Sequence, residues 1–353
     1  MSAVRSRRGR FLLLLVTGWF LAGVVTAGPA AAHAALVSTE PGESARLETA
    51  PTEVTLTFSE EMTLGAGYAR VLTADGERVD TDDASVDGAV VTIPLRPDLA
   101  DGGYLVTYRI VSDDSHPVQG AYSFVVGEGE LVAASADGPV ADRLVEGAQQ
   151  VARTAGFAGI AFAIGVPALV LLCLPGGWSS HRLRRLSTWG AGTAAGTAVL
   201  LFLLQGPYTA GSGFGSLLDP SLMSTTADST AGWALLARAV LAVALLFALR
   251  PAWRREGPPE VPELAAAGVC TVGLALSTAA TGHAVAGSWP ALAIGVTTVH
   301  VVAMSVWLGG LVAMLVVVLR PYEEDADFAE AMRRFSRVAF VAVAALVVTG
   351  ILQ

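Results

Sequence analysis

Hydrophobic and polar positions alternate with a period of two from about residue 33 to residue 127, and then give way to long apolar runs. Val54, Leu56 and Phe58 alternate with Thr55 and Thr57; Tyr104, Val106, Tyr108 and Ile110 repeat the rule, as do Tyr122, Phe124 and Val126. That period puts the apolar members on one face of a strand. Turn signals separate the runs: Asp75-Gly76, Asp87-Gly88 and Asp101-Gly102-Gly103. Short strands over roughly 95 residues, with no helical periodicity, predict an all-β domain, a small sandwich or Greek-key barrel. Each strand is apolar on one side only, so the expected core is one layer between two sheets. Residues 128–150, small, polar and acidic at their start, read as a tether.

From 151 to 353 the pattern predicts an all-α polytopic membrane bundle, with spans at about 151–174, 187–206, 231–249, 263–282, 291–319 and from 338 onward. The first five are long enough to cross a hydrocarbon core of about 30 Å. The sixth stops at Gln353 after roughly 16 residues, short for a span, so the chain is expected to lack its natural C-terminal part. Arginines follow the first, third and fifth runs (Arg182, Arg184 and Arg185; Arg250, Arg254 and Arg255; Arg320, Arg333, Arg334 and Arg337), while 207–230 and 282–290 carry no basic residue. Loops after odd spans are therefore cytoplasmic and the β-domain lies outside the plasma membrane. The N-terminus agrees. Basic residues from Arg5 to Arg10 precede an apolar run and Ala30-Ala31-Ala32, a signal peptide over residues 1–32. Arg7-Arg8 hints at twin-arginine export, but its spacing to Phe11 is one residue too long, and we read a Sec-type signal.

Composition narrows the function. The chain is 53% hydrophobic and only 15% charged, which points to multiple spans. Most acids of the net −9 charge lie between Glu40 and Glu146, so nucleic acid is excluded as a partner, and membrane lipid is expected. The two cysteines, Cys173 and Cys270, sit in apolar runs and form no CxxC, which removes thiolate cages and thioredoxin-like chemistry.

Five histidines carry the candidate chemistry. Cleavage after Ala32 leaves His33 as the first mature residue. Its free α-amine and ring Nδ1 can chelate one metal ion. Asp114 and His116 stand at i, i+2 in Ser112-Asp113-Asp114-Ser115-His116-Pro117, so on an extended strand they share a face. Nitrogen-rich ligation with one carboxylate suits Cu(II). In the membrane part, His300 lies about nine residues into the fifth span, and an ionisable residue at that depth is a functional candidate. Met304 at i+4 and Trp307 at i+7 share its face; imidazole with thioether suits Cu(I). His283 stands at the outer end of the fourth span, and His181 in a basic cytoplasmic loop has an interfacial role.

These residues resemble a known family. His33-Ala34-Ala35-Leu36, Leu56-Thr57-Phe58-Ser59-Glu60 and Ser112 to Gly120 are similar to CopC-type copper-binding proteins. The resemblance implies a cupredoxin-like or Ig-like β-sandwich over residues 33–127 that binds one Cu(II) through His33, Asp114 and His116. The Met-rich Cu(I) site of some members is absent, since Met62 to Gly88 holds one Met and no His. Thr281-Gly282-His283-Ala284, His300 with Ala303-Met304, Trp307-Leu308-Gly309-Gly310-Leu311 and Arg334-Phe335-Ser336 resemble CopD-type copper-transport proteins. The whole reads as a CopC–CopD fusion, with His283, His300 and Met304 a candidate path for transient Cu(I).

Three functions compete: copper import and homeostasis, a membrane-anchored copper buffer or sensor, and a copper oxygenase. Asp114 would fill part of the equatorial plane that an oxygenase leaves open, and no aromatic substrate platform is evident, so an enzyme is not expected. A polar residue at mid-depth favours transport over an anchor. A fragment beginning at His33 should bind one Cu(II), with nitrogen-rich coordination seen by electron paramagnetic resonance. One extra residue before His33 should weaken binding by orders of magnitude, and equal affinity of the two fragments would remove the amine chelate from the site.

Overall fold

Alternation in the first third of the chain folds into two four-stranded sheets packed face to face. The strands are β1 (Leu36–Glu40), β2 (Arg46–Leu47), β3 (Glu53–Phe58), β4 (Met62–Thr73), β5 (Ser85–Asp87), β6 (Val90–Pro94), β7 (Gly102–Ser112) and β8 (Pro117–Val126). One sheet has the order β1-β3-β6-β5 and the other β2-β8-β7-β4. This computed structural model describes residues 34–112, 116–133, 143–281, 289–318 and 325–353. His33, Asp114 and His283 lie outside the described residues, as does the expected signal peptide over residues 1–32.

The apolar positions named from the alternation fill the space between the sheets. Val54, Leu56 and Phe58 of β3 face Tyr104, Val106, Tyr108 and Ile110 of β7, and all are buried. Phe58 meets Tyr108 edge-on across the sheets at 5.6 Å between ring centroids, and Tyr104 stacks on Phe124 at 5.4 Å. The single-layer expectation is incomplete. Arg109, Val111 and Ser112, on the β7 face away from this core or at its end, are buried too. Helices cover that face, so the strand is enclosed on both sides at its end.

The helices are α1 (Arg143–Leu172), α2 (His181–Ala210), α3 (Pro220–Asp228), α4 (Thr230–Arg255), α5 (Val261–Ala279), α6 (Pro290–Met304), α7 (Gly310–Val318) and α8 (Asp325–Leu352). A wide π-helical turn, Ser305–Gly309, joins α6 to α7 in one continuous rod. Among the described residues six segments are long and apolar enough to cross a membrane, ending with Ala329–Leu352. Three helices begin earlier than the sequence expectation. Helix α1 begins at Arg143, inside the expected tether; α2 begins at His181, which is its first residue and not part of a loop; α8 begins at Asp325 and makes a sixth segment of 24 residues. Polar helix ends explain this. Ser180 caps α2 by accepting from Leu183 N–H, and Glu330 pairs with Arg333 and Arg334 along α8. Hydropathy sees only the apolar middle of each helix.

Glycine sets the closest helix contact. A Cβ at Gly309 would strike the Ala161 carbonyl, and one at Gly165 would strike the Ser305 carbonyl. The π-turn and α1 therefore meet backbone to backbone. Gly309→Leu should destabilise the detergent-solubilised protein by about 1–3 kcal/mol or more, the usual range for overpacking. Gly295→Leu, where nothing lies within 4 Å, should not. Equal thermal unfolding midpoints for the two variants would refute the contact's importance.

Candidate metal centre and the junction beneath it

The β7–β8 turn carries the candidate ligands of the soluble domain. Its ladder runs to the pair Val111–Pro117, and His116 O accepts both Ser112 N–H at 3.0 Å and Ser112 Oγ–H at 3.1 Å. These bonds fix the base of the turn, so His116 has a set position where β8 begins. On the N-terminal side, Ala35 exchanges hydrogen bonds with Ser59: Ala35 N–H donates to Ser59 Oγ and Ser59 N–H to Ala35 O, each 2.9 Å. The chain two residues after His33 is thereby pinned to the end of β3. Of the expected set His33, Asp114 and His116, only His116 is among the described residues. No cluster of three or more His, Cys, Asp or Glu occurs among them.

His116 is seated against the helices. Arg153 of α1 places Nη1 3.0 Å from His116 Nε2. A guanidinium has no acceptor, so the arginine donates and Nε2 supplies its lone pair. Arg153 Nη2 also donates to Gln149 Oε1 at 3.2 Å, and Gln149 Nε2 donates to Gln205 Oε1 of α2 at 3.2 Å. A polar chain thus runs from the turn through α1 to α2. It borders a cavity of about 430 Å³ between α1, α2, α4 and α5, lined among others by His116, Arg153, Gln205, Arg238, Thr278 and Thr281.

A second arginine ties the sandwich to the bundle. Arg109 of β7 is 1% exposed. Its Nε donates to Thr209 O at 2.7 Å, Nη2 to Tyr208 O, and Nη1 to Gln119 Oε1. Tyr208 and Thr209 are in the last turn of α2, where carbonyls have no partner within the helix and the dipole is negative. A cation is the fitting cap there. Burial pulls the Arg109 pKa down, and the charges of Tyr68, Tyr208 and Glu146 oppose that shift.

The membrane candidates lie elsewhere. His300 of α6 is half-buried, with Nδ1 2.8 Å from Thr349 Oγ1 of α8. The Thr349 hydroxyl donates to Ala345 O at 2.7 Å, so it accepts from His300 Nδ1–H and leaves the lone pair on Nε2. Met304 is half-buried one turn on, but the π-turn then widens the helix, and Trp307 falls out of line and is 36% exposed. Neither His300 nor Met304 lines the cavity that holds His116. His181 is exposed at the start of α2, with Nδ1 2.8 Å from Arg184 Nη2, and both cysteines are buried and free.

Arg153, Arg238, Gln149 and Gln205 are absent from the sequence reading, although one signal was available. Arg238 is the only ionisable residue between 231 and 249, and the rule that selects His300 selects it equally.

Comparison with known proteins matches residues 36–127 to the CopC domain and residues 144–291 to the copper resistance protein D-like, N-terminal domain. The copper transport protein CutJ of Bacillus subtilis (strain 168) is 30% identical over 331 residues, across 91% of this chain and 61% of that protein. The chain therefore spans about three-fifths of CutJ's length. Copper resistance protein C of Pseudomonas syringae pv. tomato is 32% identical over 116 residues, which covers 90% of that protein and 30% of this chain. The crystal structure of CopC from Methylosinus trichosporium OB3b is similar at 29% identity and a TM-score of 0.25, covering 27% of this chain and 93% of that one.

Replacing Arg109 by Met should loosen the junction while leaving the sandwich core folded. Hydrogen exchange should quicken around Arg109 and across residues 208–219, with β3 and β6 still protected. The expected cost is about 1.5–3 kcal/mol per lost charged hydrogen bond at most. Unchanged exchange in both segments would show that other contacts hold the two parts together.

Proposed function

From its membership of the CopC–CopD family, a CopC domain joined to a CopD-like N-terminal domain, we propose that this chain captures Cu(II) outside the plasma membrane and delivers it to its own membrane bundle for import. His33, Asp114 and His116 are the proposed Cu(II) ligands, one ion per soluble domain. The observation that carries the reading is the seating of His116: it lines a cavity shared by four helices and touches Arg153. A buffer on a plain anchor would not need its ligand turned toward the bundle. A copper ion that takes Nε2 must displace Arg153, so loading of the site acts directly on α1.

The inward route is proposed along the α6–α8 contact. Thr349 holds the His300 ring with Nε2 available as a ligand, and the Met304 thioether lies one turn away. That pair suits Cu(I), so the route would require a one-electron donor from outside this chain, such as a thiol, to reduce the Cu(II) ion between capture and passage. His283, two residues after the cavity residue Thr281, is the proposed intermediate ligand. No catalytic role is assigned. One observation favours the buffer as a second reading: Arg153 and Arg238 in the cavity beneath His116 repel a bare copper cation.

Radiocopper uptake in cells that depend on this protein separates the readings. His116→Ala and His300→Ala should each cut copper accumulation at least about tenfold, with normal membrane insertion, and His181→Ala should leave it unchanged. Normal uptake by the His300 variant, together with lost Cu(II) binding in the His116 variant, would replace import with the buffer. A rise in accumulation when the protein is removed would reverse the direction.

A further inference from the structure

Arg238 is 7% exposed and lies eight residues into α4, about 12 Å from the helix start. A buried charge normally has a counter-charge. Here every acceptor is neutral: Nε donates to Ser277 Oγ at 3.3 Å, and Nη2 to Ser277 O at 2.7 Å and Thr281 Oγ1 at 2.9 Å. Nη1, with two more N–H donors, has no hydrogen-bond partner among the described residues. Arg153 lines the same cavity, and its bonds also go to neutral groups, His116 and Gln149. The described lining contains no Asp or Glu. On α1 the nearest carboxylate, Glu146, is seven residues before Arg153, about 10 Å along the axis.

Two like charges therefore face one cavity of about 430 Å³, with the polar side chains of Thr278, Thr281 and Gln205 also lining it. Water can satisfy the hydrogen bonds but cannot neutralise the charge. A group with several anionic oxygens does both, because guanidinium forks match paired oxygens. The volume holds such a group with a few waters, each needing about 30 Å³.

We propose that this cavity is an oxyanion site, with Arg238 at its floor and Arg153 at its rim. The oxygens can belong to a free inorganic oxyanion or to the headgroup of an anionic lipid; the recognition chemistry is the same. The site does not depend on copper ligation by His116.

The test uses the full chain and two probes. In neutral detergent, radiolabelled sulfate is measured by equilibrium dialysis. In nanodiscs of phosphatidylcholine with or without phosphatidylglycerol, retained lipid is read by native mass spectrometry. One sulfate, or one phosphatidylglycerol, should bind saturably. Arg238→Gln and Arg153→Gln should each weaken that binding about tenfold or more, equivalent to 1.4 kcal/mol. Arg238→Lys should restore part of it, and Arg255→Gln, outside the cavity, should change nothing. Sulfate binding identifies a free anion as the source, and lipid retention alone identifies a headgroup. Arg153→Gln removes a half-buried rim residue, so it decides the matter if Arg238→Gln does not fold. Absence of saturable binding of both probes, or binding that Arg153→Gln leaves intact, overturns the proposal.

Discussion

The arrangement depends on a buried cation meeting the end of a helix. Arg109 projects from the outer face of β7, where a strand of a free sandwich would meet water, and caps the carbonyls of Tyr208 and Thr209. Hydrogen bonds to a charged donor contribute more than neutral ones, and here both partners are hidden from solvent. Removing either side leaves a charge or two carbonyls buried without a partner. The sandwich therefore has one favoured orientation on the bundle, and His116, at the start of β8, inherits it. His116 reaches α1 because Arg109, seven residues earlier on the same hairpin, reaches α2.

The bundle is asymmetric in its chemistry. Gln149, Gln205, Thr209, Thr226, Arg238, Ser277 and Thr278 are all buried. They gather toward the sandwich end of α1, α2, α4 and α5 and on the short helix α3. Elsewhere the helices are packed by small residues: Gly159 against Gly190, and Gly165 against Gly309, each at a distance that no side chain would permit. At the opposite end, Trp178 and Trp253 pack at 4.5 Å between centroids. Polar groups in such surroundings need internal partners, since lipid offers none. Their concentration in one region makes that region the place where water and ions can be accommodated.

The two-layer plan was legible because its signals are periodic. A period of two named the core positions of β3, β7 and β8, and apolar length named six spans. Helix starts were not legible, because polar first turns carry no hydropathy signal: Ser180 caps α2, and Glu330 pairs with Arg333 and Arg334 on α8. Arg109 was not legible either. In the sequence it is an ordinary polar member of an alternating strand, and only the covering helix turns it into a buried cap. The candidate ligands came from motif and position: His116 is placed at a bundle cavity, His300 is oriented by Thr349, and His33, Asp114 and His283 fall outside the described residues. The arginine pair needed tertiary structure, since Arg153 and Arg238 are 85 positions apart in the chain and share a cavity only once α1 packs near α4.

The Arg153–His116 hydrogen bond changes what arrival of a cation means at this turn. The imidazole lone pair is already occupied by a positively charged donor. Any metal ion that uses Nε2 enters by substitution, one cation for another, so the local charge changes less than it would at a vacant ligand. The guanidinium holds the ring in place from the side of α1. Under the proposed copper role, a displaced guanidinium would have to find new acceptors within reach of α1, and the position of that one side chain would become a record, readable inside the bundle, of whether the turn above it is loaded.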